Sequence, residues 1–156
     1  MIAVLQRVNS ATVYADGILS GAIGFGLYIL LGVEKDDTET EADLLCEKIS
    51  KLRIFSDSND KMNLSVMDVN GEILVVSNFT LNANYVHGNR PDYFSGAAPI
   101  EAERLYNYFI DKISKKVCKV SSGEFGADMR TELSTNGPVT IVMNSALLKK
   151  DKRSQL

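Results

Sequence analysis

The spacing of apolar and polar positions breaks the chain into short strands and two helices. Ile2 to Val8 reads as a strand, and Ala11 to Ala15 and Ile18 to Ala22 flank Asp16-Gly17, a dipeptide suited to a two-residue hairpin turn. Gly24-Phe25-Gly26 precedes the apolar run Leu27 to Val33. A phosphate-binding glycine loop leaves a strand and opens a helix, so this one reads as a turn. Thr38-x-x-Glu41 has the form of a capping box, after which Ala42, Leu45, Ile49 and Leu52 recur at helical spacing. The acids around it, from Asp36 to Asp43, complement a helix N-terminus better than they compose a metal site. Leu64 to Val69, Asn70-Gly71 and Glu72 to Phe79 predict a second hairpin. Pro99 opens a second helix with Ala102, Leu105, Phe109 and Ile113 on one face, and Lys115 and Lys116 fit its last turn. Val117 to Ser121, Met129 to Thr135 and Val139 to Met143 are the last predicted strands.

Together these elements predict an α/β domain of α+β character: a single unit with a mixed, largely antiparallel sheet and two main helices. Residues 1–145 form the domain in this reading, and 146–156 a basic C-terminal tail.

Within that pattern, Gly71 to Leu81 stands apart. Ile73, Leu74, Val75 and Val76 are too continuous for a half-wet strand, yet Ser77, Asn78 and Thr80 follow at once. Polar groups at the end of a buried strand either satisfy the next turn or meet a ligand. The loop Asn82 to Ala98 beside them is long enough to carry function, and it holds the only histidine, His87. Nothing in the sequence places that imidazole against Thr80, so a solvent-exposed loop histidine is the favoured reading.

Composition narrows the classes. A chain of 156 residues with 45% hydrophobic content is the size of one domain with one substantial core. No run of about 18 apolar residues is present to cross a bilayer, and the start lacks signal-peptide features, so a cytoplasmic protein with no membrane partner is expected. Cys46 and Cys118 suggest reduced thiols rather than a disulfide or zinc framework. Asp57-Ser58-Asn59-Asp60 lacks the glycine and terminal glutamate of a calcium loop. Neither a metal nor a cofactor is expected. A net charge of -3 argues against a broad grip on nucleic acid and leaves Lys149 to Arg153 as the only dense basic run. A solvated tail is favoured there over weak contact with an RNA backbone.

Ser77-Asn78-Phe79-Thr80-Leu81 and Asn136-Gly137-Pro138-Val139-Thr140, with MIAVLQRV at the start and GEFGADM at 123–129, resemble the signature segments of the D-aminoacyl-tRNA deacylases. The likeness runs from Met1 to about Asn144. It implies hydrolysis of the ester in D-aminoacyl-tRNA at the tRNA 3′ end, by a homodimer without cofactors. Thr80 would be the active-site threonine, with the main-chain amides of Phe79 and Thr80 as oxyanion donors and the ribose 2′-hydroxyl as a helper. Without an adjacent base a threonine is a poor nucleophile, so an orienting role is favoured, with nucleophile as the alternative. Ser77 and Asn78 would lie on the substrate, and Asn78 stands where the family pattern usually has glutamine. The resemblance further implies that Gly137-Pro138, in the cis form, enters the partner's site and excludes L-side chains. A site that blocks by backbone alone would also accept glycyl-tRNA. Arg7 would support that segment. Phe125 and Met129 would line the site for the terminal adenosine, with plain core packing as the alternative. A non-catalytic binder of nucleotides or RNA ends, and a general esterase using Thr80 or Ser77 with His87, are the other readings that stay open.

Overall fold

The computed structural model describes the backbone of residues 1–153 and the side chains through Lys149. The chain folds around one long strand, β1 (Ile2–Ala15), which the sequence pattern divides in two. Along one edge β1 pairs antiparallel with β8 (Met129–Asn144). Along the other it pairs first with β3 (Gly26–Gly32) and then with β2 (Ile18–Ile23). Asp16-Gly17 does make the turn between β1 and β2, with positive φ at both residues.

Register shifts between Gln6 and Ser10 turn the strand's buried face over. Ala3 and Leu5 face the main core, whereas Val8, Ala11 and Val13 face a second one. A single strand thus serves two cores, because irregular residues between its halves re-aim its side chains.

Beyond β3 lie β6 (Glu72–Ser77) and β7 (Val120–Ser122), both paired parallel. Four pairings of the main sheet and its small outlier are antiparallel and two are parallel. The sheet curls until β2 meets β7, where Ser20 Oγ donates to Ser122 O at 3.1 Å and Ser121 Oγ to Ala22 O at 3.2 Å. Val8, Val13, Tyr28, Leu74 and Val76 fill the barrel-like interior.

On the outer face α1 (Glu39–Lys51) and α2 (Pro99–Ser114) cover the larger core, with Leu45, Ile49, Leu105 and Phe109 fully buried. The two helices run in the same direction: Arg104 reaches Glu39, Tyr108 reaches Asp43, and Lys116 reaches Glu47. The capping box of α1 forms as its spacing predicts, with Thr38 N–H donating to Glu41 at 2.7 Å and Thr40 N–H to Thr38 at 3.3 Å.

Two further expectations change. Leu64 to Val69 is not a hairpin strand: only Met62–Leu64 (β5) is extended, and it pairs with Phe55–Ser56 (β4). Ser65 and Asp68 close a turn on each other through reciprocal hydrogen bonds of 2.8 and 3.2 Å, which leaves no extended backbone to pair with β6. Strand β6 is buried on both faces because it lies between two parallel neighbours, which is what a continuous apolar run suits. The other change is at the C-terminus, where the expected tail begins as a third helix, α3 (Ser145–Arg153). It packs on α1, and Lys149 pairs with the buried Glu41. The side chains of 150–153 and residues 154–156, which complete the basic run and the expected tail, lie outside the described residues.

Candidate active site

At the C-terminal end of β6 the backbone leaves the sheet after Ser77, and Asn78 N–H donates to Leu31 O at 2.8 Å. Residues Phe79–Asn82 then make a 3-10 turn with Asn78 as its cap. The cap side chain does two things at once. Asn78 Oδ1 accepts the main-chain N–H of Thr80 at 3.2 Å and also the Thr80 hydroxyl. The shortened amide therefore folds back on its own turn. Of the two expected oxyanion donors, the Thr80 N–H is already occupied. The Phe79 N–H, at the first position of the turn, has no acceptor of its own in that turn and none elsewhere among the described residues.

Beneath this turn lies a cavity of about 500 Å³. Its lining includes Ser77, Asn78 and Phe79 from the strand end, Phe125 and Met129, and Tyr93, Gly96, Ala97 and Pro99. No carboxylate, imidazole or ammonium group is among its lining residues. Phe79 is exposed and meets the Tyr93 ring edge-on at 5.0 Å. Tyr106 closes the floor: its hydroxyl lies 3.0 Å from both Val75 O and Gly123 O, and burial pushes its pKa up to about 12. It remains a neutral donor that ties β6 to the chain after β7. Gly123 leaves room for Met129, since a Cβ there would lie 2.5 Å from the methionine sulfur.

The remaining candidates do not line this cavity. Thr80 is exposed and is not among the residues that line the cavity. Arg7, Gly137 and Pro138 form a second group. Opposite Arg7 the β1–β8 ladder skips from Gln6↔Thr140 to Val8↔Thr135, so residues 136–139 bulge out of β8. Arg7 Nε donates to Asn136 O at 3.2 Å and Arg7 Nη1 to Ile54 O at 2.7 Å. Gly137, at φ 127°, has backbone that L-residues rarely adopt, and the Gly137-Pro138 bond is cis. Both residues are exposed. His87 is exposed in a loop closed by mutual Asn84–Asp92 backbone bonds of 2.8 and 2.9 Å, and it makes no hydrogen bond to either group.

Sequence reasoning missed Tyr93 and Tyr106. Tyr106 shares a helical face with Ala102 and Phe109, so the spacing contained the signal. Tyr93 sits in a loop with no periodicity to mark it. Among the described residues no cluster of three His, Cys, Asp or Glu is placed to hold a metal, and no helix is long and apolar enough to cross a membrane.

The arrangement is thus a polar strand end over a cavity without ionised lining side chains, with the Phe79 N–H as its free main-chain donor. Comparison with known proteins identifies the family of the chain. Residues 4–144 match the D-Tyr-tRNA(Tyr) deacylase family, and the chain belongs to that family, whose members are hydrolases of ester bonds. The D-aminoacyl-tRNA deacylase of Caldicellulosiruptor bescii is 50% identical over 145 residues, covering 93% of this chain and 97% of the relative. That of Haemophilus influenzae is 51% identical over 144 residues, covering 92% and 99%. A solved structure described as c-Myc DNA Unwinding Element Binding Protein superposes with TM-score 0.87 at 39% identity, covering 92% of this chain and 98% of that one. A probable eukaryotic D-amino acid tRNA deacylase, 17% identical with TM-score 0.79, shares the fold.

Proposed function

We propose that this protein hydrolyses the ester of D-aminoacyl-tRNA to free tRNA and D-amino acid, a proofreading step in translation. The observation that carries the reading is the pairing of the 3-10 turn at Phe79 with a cavity free of ionised side chains, in a chain that belongs to this family. An aminoacyl ester is already activated, so it needs an aimed water and a donor for the developing oxyanion more than a strong base.

In this reading the terminal adenosine enters between Phe125 and Met129, and Ser77 borders the amino acid. Water adds to the ester carbonyl, and the Phe79 N–H receives the negative oxygen. The tetrahedral intermediate collapses by expelling the ribose oxygen, which takes up the proton that the water gives off, with the ribose 2′-hydroxyl as relay. Thr80 spends its hydroxyl proton on Asn78, so its oxygen is left as an acceptor that orients water or the 2′-hydroxyl.

Rejection of L-residues falls to Gly137-Pro138. These residues are exposed and absent from the lining of their own chain's cavity, so reaching a cavity requires a second copy. The outer edge of β8, unpaired among the described residues and carrying the exposed Val142, offers a surface for that copy. In the resulting homodimer, peptide carbonyls occupy the space that an L-side chain needs. A glycyl ester has no such side chain and is accepted.

The test is deacylation of matched D-tyrosyl-, glycyl- and L-tyrosyl-tRNA, with sedimentation to give the oligomeric state. Wild type is expected to cleave the first two and spare the third, Pro138→Ala to lose that discrimination, and His87→Ala to change rates less than about twofold. Binding without turnover, or a large His87 effect, overturns the proposal.

A further inference from the structure

Six cationic side chains from two distant stretches of the sequence converge on one groove at the far end of the helix pair: Lys48, Lys51, Arg53, Lys112, Lys115 and Lys116. The convergence follows from the parallel packing of α1 and α2. Parallel helices put both C-terminal ends together, and all six residues lie in or just beyond the last turns. Some positive charge there complements the two helix dipoles. The groove holds more than that role uses. Glu47 is shared between Lys51 and Lys116, Asp43 faces Lys112 at 3.7 Å, and Asp111 holds Lys115 at 2.7 Å. Three carboxylates thus pair with four of the six cations, Arg53 gives its Nε to Asn63 O at 2.8 Å and acts on the Asp68 carboxylate, and among the described residues Lys48 has no ion-pair partner. The excess is concentrated in a chain whose net charge is -3.

The position of the groove relative to the cavity indicates its ligand. Pro99 and Ala102, at the N-terminal end of α2, line the cavity, whereas Lys112, Lys115 and Lys116 lie at the other end of the same 16-residue helix. At 1.5 Å of rise per residue the two sites are about 20 Å apart. A nucleic acid whose terminal residue fills the cavity carries its next phosphates in that range.

We propose that this groove binds the phosphodiester backbone of the tRNA acceptor arm, several nucleotides from the 3′ end, as a second contact that sets affinity without touching the reaction. The inference rests on the reading that the cavity takes a tRNA 3′ terminus. Phosphate contacts of this kind position a nucleic acid without reading its sequence, and each one steepens the salt dependence of binding.

The test compares wild type with Lys48→Glu/Lys115→Glu on two D-tyrosyl esters, one of full-length tRNA and one of a trinucleotide carrying the same 3′ end. The variant is expected to lose about tenfold or more in kcat/KM on the full-length ester at low salt, with the slope of log kcat/KM against log salt reduced by about two. Its kcat/KM on the trinucleotide ester should be unchanged, and unchanged far-ultraviolet dichroism and melting confirm that it is folded. Equal losses on both substrates, or no loss on either, overturn the proposal. Binding of fluorescent uncharged tRNA separates this inference from the one it rests on. A wild type that cleaves neither ester refutes the cavity reading, while weaker tRNA binding by the variant still upholds the groove. If the variant loses affinity for duplex DNA but not for tRNA, the groove serves a different polyanion and the proposal fails.

Discussion

The turn at 77–82 and the bulge at 136–139 are both polar interruptions of β structure, yet the chain treats them in opposite ways. The first curls over its own cavity, and its cap side chain, Asn78, takes up two donors of the same turn. The second projects from β8, held from behind by Arg7, and lines nothing in its own protomer. One region opens on a cavity of its own chain, and the other, in the proposed reading, acts in a second copy. Mutations in the first should therefore change rate for every substrate, and mutations in the second should change which substrates react.

The sharpest way to break this comparison is Asn78→Ala. It removes the cap that fixes the turn, so that the Phe79 N–H and the Thr80 hydroxyl are no longer held in place, and loss of about 10² in kcat is expected on D-tyrosyl- and glycyl-tRNA alike. A loss confined to one ester, measured in single-turnover assays, would contradict the assignment. Arg7→Ala comes next. It leaves Asn136 O and Ile54 O without their charged donor, a change worth about 1.5–3 kcal/mol by denaturant unfolding. The D-ester rate should stay within about threefold while L-tyrosyl-tRNA becomes a substrate. A uniform fall in all rates would place Arg7 with the first region instead.

Smallest is the effect of Glu41→Gln, which touches neither region and serves as the control. Burial alone would raise the Glu41 pKa, but Lys149 and Thr38 outweigh it and hold the carboxyl down to about 2, below its ordinary 4.5. A depressed carboxylate stabilises the fold above its unfolded pKa and loses that contribution as pH falls from about 4.5 toward 2. The variant should flatten this acid limb of a melting-temperature profile. A difference of about 1–2 kcal/mol is expected near neutral pH, after allowance for the half-exposed lysine, with catalysis unchanged.

What the sequence made legible was mostly local. Thr38-x-x-Glu41, Asp16-Gly17 and Pro99 each contain their own explanation within four residues, and each forms as read. The burial of Ile73 to Val76 was legible too, because a continuous apolar run has no wet face to offer. Its partners were not, since a run buried on both sides says nothing of which strands cover it. Ser65-x-x-Asp68 held the signal for the turn that replaced the expected hairpin, in the same form as the capping box that was recognised. For the site, the strand end at Ser77 and Asn78 was readable, and the capture of the Thr80 amide by Asn78 was not, because it depends on the turn's geometry. The cationic groove escaped notice for a different reason. Its cationic residues come from two separate stretches, and only the parallel packing of α1 and α2 makes them neighbours.

Gly26 shows how far a site can depend on a residue that never meets substrate. It stands opposite Glu72 at the first rung of the β3–β6 ladder, and a Cβ there would lie 1.8 Å from the Glu72 carbonyl oxygen. The ladder then runs in step to Leu31↔Ser77, where the strand gives way to the 3-10 turn. Gly26 is in effect the zero mark of a ruler whose other end measures where the Phe79 amide stops. Any side chain at that mark would slide the scale, and the chemistry would be displaced five residues away.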